Sequence, residues 1–70
     1  GFMVQVGAFG ERDKAESLRQ ELVASGYSAV IEQAGGVNRV RVGPYASRQE
    51  AERAEARLSA AGRPGVVIAR

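Results

Sequence analysis

Seventy residues without Cys or His make one domain that has no disulfide and no thiolate or imidazole for a transition metal. Ten basic and eight acidic residues, interspersed, give a net charge of +2, far short of a nucleic-acid-binding arm. No apolar run approaches a membrane span, and Gly1-Phe2-Met3-Val4 has neither the length nor the basic flank of a signal peptide.

From Met3 to Ala8 the chain alternates as a half-buried strand should, with Val4 and Val6 on one face and Met3, Gln5 and Gly7 on the other. Gly7 and Gly10 flank Phe9 and turn the chain into a helix over about Arg12–Ser25, where Ala15, Leu18 and Leu22 recur at helical spacing. Gly26 suits the left-handed cap that ends such a helix. Tyr27 to Gln33 reads as a second strand, with Tyr27, Ala29 and Ile31 on one face and Val30 and Glu32 on the other. Ala34-Gly35-Gly36 is a hairpin connection. The third strand, Val37 to Gly43, puts Val40 and Val42 inward and Val37, Arg39 and Arg41 outward, and Gly43-Pro44 is expected to end it.

Ser47-Arg48-Gln49-Glu50 is a capping box. The helix it opens runs to about Ala61, with a buried stripe of Ala51, Ala54, Leu58 and Ala61 whose small residues let it lie close to a sheet. Gly62 and Pro64 stop it, and Gly65 to Ala69 forms a last strand in which Val66 and Ile68 alternate with Val67 and Ala69. As the chain begins in mid-strand, residues 1–70 are expected to be a single domain cut from a longer protein, any targeting segment lying outside it.

The second half repeats the first at an offset of 36, matching Val4 with Val40, Val6 with Val42, Gly7 with Gly43, Ala15 with Ala51, Leu22 with Leu58 and Gly26 with Gly62. Two units are too few for a solenoid. The expected fold is α+β: a βαββαβ, ferredoxin-like or RNP-like domain with an internal two-fold repeat. Its four-stranded antiparallel sheet carries both helices on one face and leaves the other bare.

Parity places Met3, Gln5, Val30, Glu32, Val37, Arg39, Arg41 and Val67 on that open face. Apolar residues beside two arginines and a glutamine describe a shallow binding face, a merely unoccupied sheet or a homodimer contact. Arg39 and Arg41 point the same way, either as surface charge that keeps the sheet soluble or as planar forks for a carboxylate or phosphate. Phe9 and Tyr45 read first as ring anchors of the strand-to-helix corners, with Phe9 also a candidate for one end of a groove.

Catalysis is not expected. The carboxylates other than Glu32 are spread over wet helical faces, no serine has a histidine, and no glycine-rich loop leads into the Lys and Ser/Thr of a phosphate cradle. RNA-binding modules of the same βαββαβ order stack bases on sheet aromatics, which these strands lack.

The stretches Met3-Val4-Gln5-Val6-Gly7-Ala8-Phe9, Gly26-Tyr27, Asn38-Arg39-Val40-Arg41-Val42-Gly43-Pro44-Tyr45 and Gln49-Glu50-Ala51-Glu52 together resemble the SPOR (sporulation-related repeat) domain of bacterial envelope proteins, over essentially the whole chain. The resemblance implies a non-catalytic module without cofactor, expected to be monomeric. Its ligand would be septal peptidoglycan, specifically glycan strands stripped of stem peptides (denuded glycan), and its task to concentrate a periplasmic, membrane-anchored or lipoprotein host at the division site. It assigns glycan contacts to Gln5, Arg39 and Val67, and the expected binding set is these with Met3, Val37, Arg41, Ala8 and Phe9. Many members have serine at the position of Ala8 and some tryptophan at that of Val37. A cysteine pair of some members is replaced by Val6 and Val66. A protein-interaction or dimerisation module using the same face is the alternative.

Overall fold

A computed structural model describes the whole chain, Gly1–Arg70. Six elements follow in the expected order: β1 (Phe2–Phe9), α1 (Arg12–Ala24), β2 (Ala29–Ala34), β3 (Val37–Tyr45), α2 (Arg48–Ala60) and β4 (Val66–Ala69). All neighbouring strands are antiparallel in the order β2-β3-β1-β4, so β1 and β3 are central and β2 and β4 are edges. Both helices lie on one side. Val4, Ala29, Val40 and Val42 from the sheet meet Ala15, Leu18, Leu22, Ala51, Ala54 and Leu58 from the helices in one core.

Local chemistry explains most of the boundaries. Ser47 Oγ accepts the backbone N–H of Glu50 at 3.1 Å, so the capping box of α2 closes from its serine side. Both helices end just before a glycine of positive φ, Gly26 and Gly62. Ala61 is the exposed C-cap of α2 and takes no part in its buried stripe. Gly35 and Gly36 both have positive φ and join the closing pair Ala34↔Val37, the two-residue hairpin that fixes the register of β2 against β3.

Two departures from simple alternation set the register of the central strands. Strand β3 does not stop at Gly43-Pro44 but runs on to Tyr45, because the register slips between Phe2↔Tyr45 and Val4↔Val42 and the ladder asks no N–H of Pro44. The Gly43–Pro44 peptide is cis. A second slip lies between Gln5↔Arg41 and Gly7↔Val40, where Val6 is an extra residue on β1. Gly7 therefore turns inward, against the expected parity. A Cβ there would stand 2.8 Å from the Phe9 ring and 2.9 Å from Leu18 Cδ2.

Buried Asn38 ties the sheet to the turn that follows β1, its Nδ2 donating to the Phe9 carbonyl at 3.1 Å and the Gly10 carbonyl at 3.4 Å. This pins the entry to α1. Gly43 is constrained twice, by a φ of 136° and by a close neighbour, since a Cβ would meet Met3 Sδ at 2.9 Å and the Phe2 carbonyl at 3.1 Å. The Met3 thioether thus lies over the hole that Gly43 leaves. Gly43→Ala is expected to cost about 2 to 3 kcal/mol through strain and collision. Gly10→Ala, with nothing within 4 Å of the new Cβ, is expected to stay within about 0.5 kcal/mol. Urea midpoints of the two variants check this, and equal midpoints would refute it.

Candidate functional site

Register settles which side chains share the face away from the helices. On β3, Val37, Arg39 and Arg41 alternate with the inward Asn38, Val40 and Val42. Across one boundary Val30 stands opposite Arg41 and Glu32 opposite Arg39; across the other Gln5 stands opposite Arg41 and Ala8 opposite Arg39. Gln5, Val37, Arg39 and Arg41 therefore share this face as parity predicts, and Ala8 joins them. Ala8 arrives there because of the Val6 bulge.

Three expected site residues are placed differently. Val67 pairs with the inward Val4 and packs against the core, so the β4 residues on the open face are Val66 and Ile68. The alternation expected there is inverted. Phe9 pairs with inward Asn38 beyond the bulge, and its ring packs on the helical side against Gly7 and the core. It cannot line a groove on the sheet, although its role as a corner anchor, shared by Tyr45, holds. Met3 has the right parity but only 1 % exposure. It is a floor residue rather than a contact surface.

Across this face runs a polar clasp. Glu32 on edge strand β2 takes Arg41 Nη1 at 2.5 Å on one carboxylate oxygen and the Arg70 guanidinium, reaching from beyond edge strand β4, on the other. Arg41 Nε also donates to Gln5 Oε1 at 3.2 Å. The Arg70–Glu32 pair thus spans the two central strands. Arg39, by contrast, stands directly opposite Glu32 yet makes no hydrogen bond or ion pair. It is the free guanidinium of the face.

The charge distribution sharpens this picture. Arg39, Arg41, Arg70 and Glu32 together carry +2, which is the formal net charge of the entire chain, so the helical side balances to zero. There the acids are used locally, as in Arg19 with Glu16 and Arg63 with Glu21. Large clefts are not on the sheet. The largest, about 530 Å³, lies between Tyr27, Tyr45 and Arg57. Only a shallow depression of about 280 Å³ beside the bulge, lined in part by Gln5, Ala8 and Val66, adjoins the open face. No group of His, Cys, Asp and Glu side chains is arranged to hold a metal ion.

The SPOR domain family model matches residues 1–69. The endolytic peptidoglycan transglycosylase RlpA of Yersinia pestis is 37% identical over 60 residues, covering 84% of this chain and 17% of that protein. RlpA of Escherichia coli (strain K12) is 40% identical over 58 residues, 81% of this chain and 16% of that protein. The chain spans about a sixth of the length of these curated relatives. Among solved structures, the peptidoglycan binding domain of the Bacillus subtilis cell wall lytic enzyme CwlC superposes with a TM-score of 0.88 at 31% identity, over 96% of this chain and 85% of that one. The RlpA SPOR domain from Pseudomonas aeruginosa gives 0.75 at 28% identity over the whole of both chains.

The clasp has a pH signature. Hydrogen bonding from Arg41, helped by the charges of Arg70 and Arg41 and opposed by desolvation, holds the Glu32 carboxyl below its ordinary value of 4.5. A folded pKa below the unfolded one stabilises the fold above the unfolded value, and that stabilisation is lost as pH falls through the folded value. Urea midpoints taken from about pH 7 down to about pH 3 are expected to fall more steeply for the wild type than for Glu32→Gln. Glu16, lowered chiefly by its bond from Arg19, contributes equally to both curves. Parallel curves would mean that the clasp does not form in solution.

Proposed function

The chain belongs to the SPOR domain family, and from that premise we propose that it is a non-catalytic peptidoglycan-binding module whose ligand lies on the open face of the sheet. Support for the ligand comes from the neighbouring CwlC domain, which binds peptidoglycan. Support for the face comes from one observation in particular: Arg39 is unpaired on the surface that carries the whole net charge of the chain. The transglycosylase activity in the relatives' name belongs to proteins about five times this length. On the open face the lone carboxylate, Glu32, is held ionised by two arginines and is poorly suited to donate a proton.

The finer reading concerns which glycan is bound. In intact peptidoglycan the lactyl group of each N-acetylmuramic residue ends in an amide to the stem peptide; amidase cleavage leaves a carboxylate. Arg39 can grip a carboxylate with a charge-assisted hydrogen bond, which an amide does not offer. Gln5, beside it on β1, serves acetamido or hydroxyl groups, and Val30, Val37, Val66 and Ile68 offer apolar surface to the sugar rings. Arg41 acts with less freedom than Arg39, since Glu32 and Gln5 already engage it. Preference for denuded glycan would carry a host protein to the division septum of a bacterial envelope, where amidases act.

The test is co-sedimentation with purified peptidoglycan sacculi before and after amidase treatment. Binding is expected to rise after amidase. Arg39→Ala is expected to lower that affinity roughly 10- to 100-fold, the equivalent of one charge-assisted bond, and Gln5→Ala to lower it by a smaller factor. Retention that ignores amidase, or that survives Arg39→Ala unchanged, would remove the carboxylate from the mechanism. No binding to either preparation would remove the glycan.

A further inference from the structure

Glu32 stands opposite Arg39 in register, yet its carboxylate is drawn away to Arg41 and Arg70. Without Glu32 the face would present three bare guanidiniums on one sheet, an arrangement that attracts any polyanion whatever its sequence or sugar. Without Arg41 and Arg70, the nearest cation to Glu32 would be Arg39 itself, across an antiparallel pair whose side chains meet at about 5 Å. We propose that the Glu32 clasp is the specificity device of this face: it neutralises two guanidiniums and leaves a third, Arg39, free to take a single carboxylate. Glu32 sets the valence, and Arg41 and Arg70 are positioning residues that keep Glu32 off Arg39. The glycan half of this inference rests on denuded glycan being the ligand of the face, and the polyanion half does not.

Geometry favours this role over simple stabilisation. The clasp spans the sheet from one edge to the other, between residues distant in sequence, and none of its members lies on a helix. All three arginines are on strands or at a strand end, so none is needed for helix dipoles or caps. A sparsely charged polymer, with one carboxylate per disaccharide, has little use for three adjacent cations. Polyphosphates do.

Two arms test the proposal. In the first, anisotropy of labelled oligo-dT is followed against salt for wild type and Glu32→Gln, with thermal melts to establish that both are folded. Glu32→Gln is expected to bind oligo-dT about fivefold to tenfold more tightly at low salt, from the released ion pairs. The logarithmic salt slope is expected to steepen by roughly 0.7 for each additional phosphate engaged. Equal affinity and slope would overturn the proposal, whatever the sacculi do.

In the second arm, Arg41→Ala/Arg70→Ala is measured on amidase-treated sacculi with and without Glu32→Gln added. The double variant is expected to lose binding because Glu32 turns onto Arg39, and the triple variant to regain it. A loss that Glu32→Gln does not rescue would mean that Arg41 or Arg70 contacts the ligand directly, and would overturn the positioning role. Wild type that ignores the sacculi while the oligo-dT arm behaves as expected would fault the glycan reading and leave the valence-setting role of Glu32 standing.

Discussion

Between Gln5 and Gly7 strand β1 carries one residue more than β3, and every side chain beyond that point faces the way opposite to its parity. The consequences reach both sides of the sheet. On the helical side, Gly7 comes to lie against Leu18 and the Phe9 ring, a contact that only a residue without Cβ permits, and Phe9 closes the end of the core. On the open side, Ala8 falls in line with Gln5 and lies opposite Arg39. A bulge sharpens twist and re-aims side chains locally, and Asn38 fixes the result by bonding the carbonyls just past it. The open face is therefore composed by one inserted valine as much as by alternation.

The electrostatics of that face follow from where the acids are spent. On the helices, carboxylates meet cations within a turn or across the α1 to α2–β4 contact, in water, and such pairs contribute little. On the sheet, one glutamate serves two arginines that approach from different strands, so its two oxygens are both used and its charged form is favoured. Arg39 lacks a partner because the one acid within reach is already engaged twice. A surface of this kind is positive but has only one open valence.

Much of this was legible in the residues. Helical periodicity, the Ser47 cap, the terminating glycines and the Gly35-Gly36 hairpin are strong local signals, and the hairpin alone fixes Glu32 opposite Arg39 and Val30 opposite Arg41. The parity of β3 was readable because its outward residues are arginines and its inward ones mostly valines. Strand β4 offered no such contrast: Val66, Val67, Ile68 and Ala69 are all apolar, and only pairing with Val4 reveals that Val67 faces the core. The bulge was invisible for a related reason, since Val6 would fill an inward position with or without an extra residue. The clasp needed Arg70, whose reach across the sheet no spacing rule anticipates.

One free guanidinium limits what the face can do by charge alone. A single charge-assisted bond of about 1.5 to 3 kcal/mol falls well short of the roughly 4 kcal/mol that corresponds to even millimolar affinity. On the proposed glycan reading, the remainder comes from apolar contact with Val30, Val37, Val66 and Ile68, and from a polymer that offers the same carboxylate again at each repeat. Repetition multiplies the registers in which the ligand can bind and shortens each excursion between them, as linked sites do. A shallow sheet without an enclosing cavity suits such a ligand, because a strand can slide along it and rebind. Under the valence-setting role proposed for Glu32, selectivity resides in the spacing of charges along the polymer: a chain with sparse carboxylates would satisfy Arg39 and leave the Glu32 clasp closed, whereas a dense polyanion would gain nothing further unless it broke that clasp.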